Sequence, residues 1–196
     1  MPSWSGSLSR HALDERSPGH ALPGDTPKWP RDRVVEVRHI ALDLYPDIEA
    51  KRLRGTATHT ISLLNDGTRF VDFDAVEMRI SRVDVGGGGA PFDYDGRRVR
   101  VDLGAGRRAG EVVDVALRYE ARPRIGLYFI APDAGYPDKP RQVWSQSQDE
   151  DTRYWIPCYD YPNQKQTSEM RVTVPAGWYA LSNGRLVHEA TNGDGT

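Results

Sequence analysis

The run Glu111-Val-Val-Asp-Val-Ala-Leu-Arg-Tyr119 decides the fold class. On an extended chain Val113, Val115, Leu117 and Tyr119 fall on one face, and Asp114, Arg118 and Glu120 fall mostly on the other. That period of two is the mark of a half-buried strand. Upstream, Ile40, Leu42 and Leu44 alternate with Ala41 and Asp43 in a run that begins at Val34 and closes at Tyr45-Pro-Asp47. Arg54 to Leu64 is rich in β-branched residues and stops at Asn65-Asp-Gly67, a turn signal. Phe70–Asp74, Ile80–Val85 and Val99–Leu103 read as short strands, and so do Met170–Val174, Trp178–Leu181 and Arg185–Glu189 downstream. No segment carries a 3.6-residue apolar stripe. The expectation is an all-β, antiparallel domain with hairpin connections.

A chain of 196 residues with 38% hydrophobic content can bury one good core. Residues 1–33 are rich in Ser, Pro, Gly and charge with no apolar period, so they read as a flexible leader, with Trp29 as a residue that could dock on the domain. The folded domain is expected over 34–196. Its closing Thr191-Asn-Gly-Asp-Gly-Thr196 looks like a hairpin turn without its second strand, which suggests a domain truncated at its C-terminal end. A net charge of -2 provides no clustered cations for phosphate, so no nucleic-acid partner is expected. No apolar run approaches the roughly 20 residues that span a bilayer. The N-terminus also lacks the basic start and apolar core of a secretory signal. A cytoplasmic protein without a membrane partner follows as the expectation. Two glycine stretches, Gly86–Gly89 and Gly104–Gly110, read as loops, because neither is followed by Lys-Ser/Thr or by a helix that would cradle a phosphate.

The chemistry concentrates in Gln142 to Pro162, where amides, three consecutive acids, two tryptophans and a Pro-Cys pair crowd together. His188-Glu189 begins a His-Glu-x-x-His pattern, but Asn192 stands where the second histidine belongs. The histidines at 11, 20, 39 and 59 have no ligand spacing either, so no metal site is expected in this chain. His59, inside a strand, reads as a half-buried packing residue. Cys158, the single cysteine, follows Pro157 and reads as a small buried thiol. Asp149, Glu150 and Asp151 point to alternate faces of an extended chain, which suits structure better than paired acid–base work, and Asp151 is the simplest partner for Arg153. Gln146 and Gln148 lie two apart, so on an extended strand both leave the same face. An amide accepts through oxygen and donates through nitrogen, and two of them beside an acidic run can receive an ammonium group.

At these residues a family resemblance emerges. Ser-Gln-Ser-Gln-Asp-Glu-Asp-Thr-Arg-Tyr-Trp-Ile-Pro-Cys-Tyr-Asp-Tyr-Pro, ending at Pro162, resembles the Gln-x-(Glu/Gln)-x-x-x-Ala-Arg-x-x-Phe-Pro-Cys-x-Asp-x-Pro signature of the aminopeptidase N and leukotriene-hydrolase family of zinc metallopeptidases. His39-Ile-Ala-Leu-Asp-Leu, Gly55, Gly126-Leu-Tyr-Phe and Ala180-Leu-Ser-Asn match further family elements in order, so the resemblance covers about residues 34 to 189. It implies a saddle-shaped, antiparallel, β-sandwich-like N-terminal domain. In complete enzymes of this family that domain packs on a catalytic domain carrying the zinc. By position Gln148 would help bind the free α-amino group of a peptide, with Gln146 beside it. Asp151, Arg153, Pro157, Cys158, Asp160 and Pro162 would form the structural loop that carries them. Thr152 replaces the usual alanine before Arg153. The chain lacks the zinc-binding His-Glu-x-x-His and the Gly-x-Met-Glu-Asn loop, so zinc is implied for the complete enzyme only and the chain alone is expected to be inactive. The implied partners are a peptide N-terminus and a zinc-peptidase catalytic domain, in cis or in trans. A second possibility is a stand-alone β-sandwich module that binds peptide or carbohydrate on a platform of Trp144, Trp155 and Trp178.

Overall fold

The computed structural model describes residues 30–196, so the expectations for the leader and for Trp29 fall largely or wholly outside the described residues. Residues Asp32–Thr196 form one compact unit. It contains eleven strands: β1 (Val35–Asp47), β2 (Arg52–Leu63), β3 (Phe70–Asp74), β4 (Met78–Val85), β5 (Gly88–Gly89), β6 (Phe92–Tyr94), β7 (Arg98–Asp102), β8 (Val112–Ala121), β9 (Gly126–Ile130), β10 (Gln142–Gln146) and β11 (Thr167–Val172). A single turn of 3-10 helix covers Thr152–Tyr154. The strands make a six-stranded sheet in the order β11-β1-β2-β8-β4-β5, a three-stranded sheet β3-β7-β6 and the hairpin β9-β10.

Alternation places the core. In β8, Val113, Val115, Leu117, Tyr119 and Ala121 are buried, as the sequence period demands. In β1 the buried residues switch from Val35 and Val37 to Ile40, Leu42 and Leu44. A register shift between Val37 and His39 accounts for the switch: one extra residue in the strand exchanges its two faces. The inner face of the large sheet meets Val71, Phe73, Val99 and Val101 of the three-stranded sheet in one continuous core. Each such side chain contributes about 1.5–3 kcal/mol when fully removed from water.

The structure corrects several expectations. β2 and β3 do not form a hairpin through Asn65–Gly67; the turn carries the chain from one sheet to the other, and β2 pairs with β1 and β8 instead. β1 and β11 pair in parallel, the one exception to the antiparallel pattern among the described residues. Gly86 and Gly87, both at positive φ, turn the chain so that Gly88 and Gly89 pair back on β4, so only half of that glycine run is loop. The expected strands Trp178–Leu181 and Arg185–Glu189 are absent, and Tyr179, Leu181, Leu186 and Val187 are at least 70% exposed. Strand preference is realised by pairing and packing against neighbours, and these residues have neither.

Candidate functional site

The signature stretch folds back on itself between β10 and β11, and a two-layer set of contacts holds it from beneath. Asp74, at the end of β3, forms an antiparallel bridge with Cys158: Asp74 N donates to the Cys158 carbonyl at 2.6 Å and Cys158 N to the Asp74 carbonyl at 2.9 Å. Asp160 N donates to Asp74 Oδ2 at 3.3 Å, and Val76 N to the Arg153 carbonyl at 2.8 Å. From β2, His59 Nε2 donates to the carbonyl of Pro157 at 2.9 Å, while the ring lies 4.5 Å from that of Phe73. A carbonyl only accepts, so Nε2 carries the proton and Nδ1, which has no partner among the described residues, is bare. Burial drives the His59 pKa down to about 4, against the opposing hydrogen bond to Pro157. His59 is thus fully buried and neutral, not half-buried: it fills the space between the large sheet and the loop.

Arg153 ties the loop's two ends together. Its backbone N and Nε both donate to Asp160 Oδ2, at 3.0 and 3.1 Å, and one terminal nitrogen donates to Glu150 Oε2 at 2.8 Å and to the Asp160 carbonyl at 2.9 Å. Burial opposes the Arg153 charge, but the hydrogen bond with Asp160 and the negative charges of Asp74, Asp160 and Glu150 outweigh it and raise the pKa. The expected Asp151–Arg153 pair does not form. Tight turning at Thr152–Tyr154 brings residues three apart into line, which selects Glu150, and the returning chain supplies Asp160. Trp155 is buried under the loop, its indole N–H donating to Ser147 Oγ at 3.0 Å. Cys158 and Pro157 are buried as well, and Pro162 is exposed.

Gly126 in β9 accommodates this arrangement. Its φ is +82°, and a Cβ placed there would lie 2.2 Å from the Asp151 carbonyl oxygen and 3.0 Å from Trp155 Cδ1. The absence of a side chain lets the loop sit against the strand. Gly126, His59 and Asp74 are the supports that residue patterns alone did not reveal. Only Gly126 carried a signal, as a glycine opening an otherwise apolar strand.

What remains outward is small. Gln146 ends β10 and Gln148 lies in the turn that follows, both exposed and neither with a side-chain hydrogen bond among the described residues. Because the strand stops at Gln146, the period-two argument for a shared face does not reach Gln148. An open depression of about 540 Å³ beside the loop is lined by Asp149, Asp160, Tyr161 and Lys165 among others, and neither glutamine lines it. Among the described residues no group of three or more His, Cys, Asp or Glu is placed to hold a metal ion, so the donor set that zinc needs is not met there. No helix among them is long and apolar enough to cross a membrane.

An all-β domain with its signature loop locked from beneath agrees with the N-terminal domain of zinc metallopeptidases. Residues 36–196 match the Peptidase M1 N-terminal domain, and the chain belongs to that family. Its fold is similar to that of a mutant M1 zinc metallopeptidase from Deinococcus radiodurans solved with a Tyr-Ser-Ala substrate. The TM-score is 0.69 at 26% identity, over 82% of this chain and 37% of the other. In sequence it is 29% identical over 119 residues to leucyl aminopeptidase of Saccharolobus solfataricus, covering 61% of this chain and 14% of that protein. It is also 34% identical over 68 residues to transcription initiation factor TFIID subunit 2 of Gallus gallus, covering 34% of this chain and 6% of that protein. The chain therefore spans a small part of the length of the curated relatives it matches.

Proposed function

We propose that this chain is the substrate-anchoring part of a zinc-dependent aminopeptidase, presenting Gln148, with Gln146 beside it, to the free α-amino group of a peptide. The single observation that supports this is the division of labour in the signature stretch. Arg153, Asp160, Trp155, Pro157 and Cys158 are consumed by structure, while the two glutamines face outward with unused amides. An amide oxygen accepts from an ammonium without a full ion pair, so it positions the peptide terminus while the surrounding loop prevents the group from drifting. The zinc, which in such enzymes activates water against the scissile carbonyl, would be held by a catalytic domain in cis or in trans. The chain alone hydrolyses nothing in this reading.

The test is a titration of the purified, isotope-labelled chain with alanyl-alanine amide and with its N-acetyl derivative, following the glutamine side-chain resonances. The free amine should shift Gln148 and the acetylated peptide should not. Equal shifts from both, or zinc-dependent release of an aminoacyl fluorophore by the chain alone, would sink the proposal. The binding-module reading loses its basis in the burial of Trp155 at 8% exposure, since a platform of three tryptophans needs all three in solvent. The likeness to the transcription factor subunit covers too little of either chain to favour a second function.

A further inference from the structure

On the outward face of the six-stranded sheet, folding gathers cations that lie far apart in the chain. Arg54 of β2 and Arg79 of β4 stand on either side of Glu120 in β8, and Arg118 lies two residues back along β8, between Thr56 and Arg82. All three arginines are exposed, on the side opposite the buried Leu117 and Tyr119. Strand spacing and the two-residue repeat put their Cα positions at the corners of a triangle about 8–10 Å on a side. They line an open depression of about 590 Å³, with Thr56 and Ser81 between them.

The carboxylates around these arginines are already engaged. Glu120 accepts from Arg52 at 3.4 Å, and Asp84 is gripped by Arg82 through contacts of 2.6–2.9 Å. Asp43 accepts from the Tyr45 hydroxyl at 3.4 Å. Arg54, Arg79 and Arg118 make no side-chain hydrogen bond or ion pair among the described residues. Arg69 and Arg100, exposed on the three-stranded sheet, each hold an aspartate instead. Arg118 also faces Arg82 directly across the β4–β8 pair. Like charges so placed destabilise a sheet, and Asp84 neutralises only one of the two.

We propose that this depression is a binding site for a phosphomonoester carried on a small molecule, separate from the glutamines. Three guanidinium forks call for an anion with several terminal oxygens. A carboxylate offers two oxygens and one charge, and a phosphodiester likewise keeps two free oxygens and one charge. A phosphomonoester offers three oxygens and close to two charges at neutral pH, which answers three cations best. Arginine suits the task because its planar fork meets phosphate with two N–H groups at once. The Thr56 hydroxyl adds a neutral donor between the strands. The depression is wider than a phosphate group and open to solvent, so the group that carries the phosphate has room. A nucleic-acid backbone is built of diesters, and the chain's net charge of -2 opposes a long polyanion.

The experiment titrates the isotope-labelled 196-residue chain with glycerol phosphate, dimethyl phosphate and acetate at matched ionic strength, following the arginine Nε–H resonances. Glycerol phosphate should shift Arg54, Arg79 and Arg118 saturably and bind roughly tenfold more tightly than the other two. Arg118→Gln should weaken that binding roughly tenfold or more. It should leave the urea midpoint unchanged or higher, because it removes the repulsion with Arg82. Arg69→Gln should leave the affinity as it is. Equal affinities for the three anions, an equal loss in the two variants, or no saturable response would overturn the site. Tighter binding of inorganic phosphate than of glycerol phosphate would overturn the small-molecule carrier, and tighter binding of an oligonucleotide would overturn the monoester.

Discussion

Gly126→Ala tests whether the loop is held against β9 as closely as the geometry requires. The substitution has two costs. At φ +82° an alanine sits in the left-handed region, which costs about 1–2 kcal/mol. Its methyl would also stand 2.2 Å from the Asp151 carbonyl oxygen, well inside any real contact, so the loop must move by about an ångström. That movement strains the bonds that close the loop here, Asp151 N to the Ser147 carbonyl at 3.1 Å and Trp155 Nε1 to Ser147 Oγ at 3.0 Å. Each is worth about 0.5–1.5 kcal/mol. The total is about 2–5 kcal/mol, a large share of the 5–15 kcal/mol that typically holds a domain folded. Gly106→Ala separates the two costs, since Gly106 also has a positive φ, +79°, but nothing within 4 Å of its Cβ position. Urea unfolding of the three proteins supplies the measurement. With a slope near 2 kcal/mol per molar, Gly126→Ala should lower the midpoint by about 1–2.5 M and Gly106→Ala by about 0.5–1 M. Midpoints for the two variants that agree within about 0.3 M would refute the close approach of loop and strand.

Acid should loosen the same region through His59. Its folded pKa of about 4 lies below its unfolded value near 6.5, so the unfolded chain binds the extra proton. The stabilisation is complete above about pH 6.5 and is lost as pH falls from there towards 4, on the order of 3 kcal/mol in all. His59→Leu should flatten that part of the stability–pH curve, and parallel curves for the two proteins would refute the assignment. At Arg153, Ala leaves the buried Asp160 carboxylate without its cation and should cost about 3–5 kcal/mol by urea unfolding. Lys keeps the charge but loses the fork, and should recover no more than about half of that. Full recovery by Lys would mean that charge alone, without the planar geometry, closes the loop.

Much of the fold was legible because two-residue alternation is local. β3 matches its expected bounds, and β8 buries the very face that its pattern marks. What escaped was set by distance along the chain. The bulge in β1 exchanges its faces without any break in hydrophobicity, and the route from β2 to β3 depends on which sheet offers an open edge. At the site, the outward glutamines and the buried Pro157-Cys158 pair could be read from residue type. The choice of Glu150 and Asp160 over Asp151 could not, because it depends on a tight turn at Thr152 and a reversal seven residues on. His59 was placed correctly in its strand, but the proline carbonyl it meets lies 98 residues away. Trp178–Leu181 and Arg185–Glu189 show the converse failure: good strand residues with nothing beside them remain unpaired.

The parallel pairing of β1 with β11 has a consequence during synthesis. The ring of His39 and the hydroxyl of Thr167 are in contact across 128 residues of chain, and the two strands join only after everything between them has been made. Until then the His39–Leu44 stretch of the β1 edge, which β11 covers, stands open on a growing polypeptide. Closing so distant a contact is entropically slow. The nascent domain therefore passes through an interval in which most of its sheet can exist while its first strand still offers a free edge to any extended peptide nearby. A chaperone that shields extended segments would have its greatest effect on yield in that interval, before Val172 has left the ribosome.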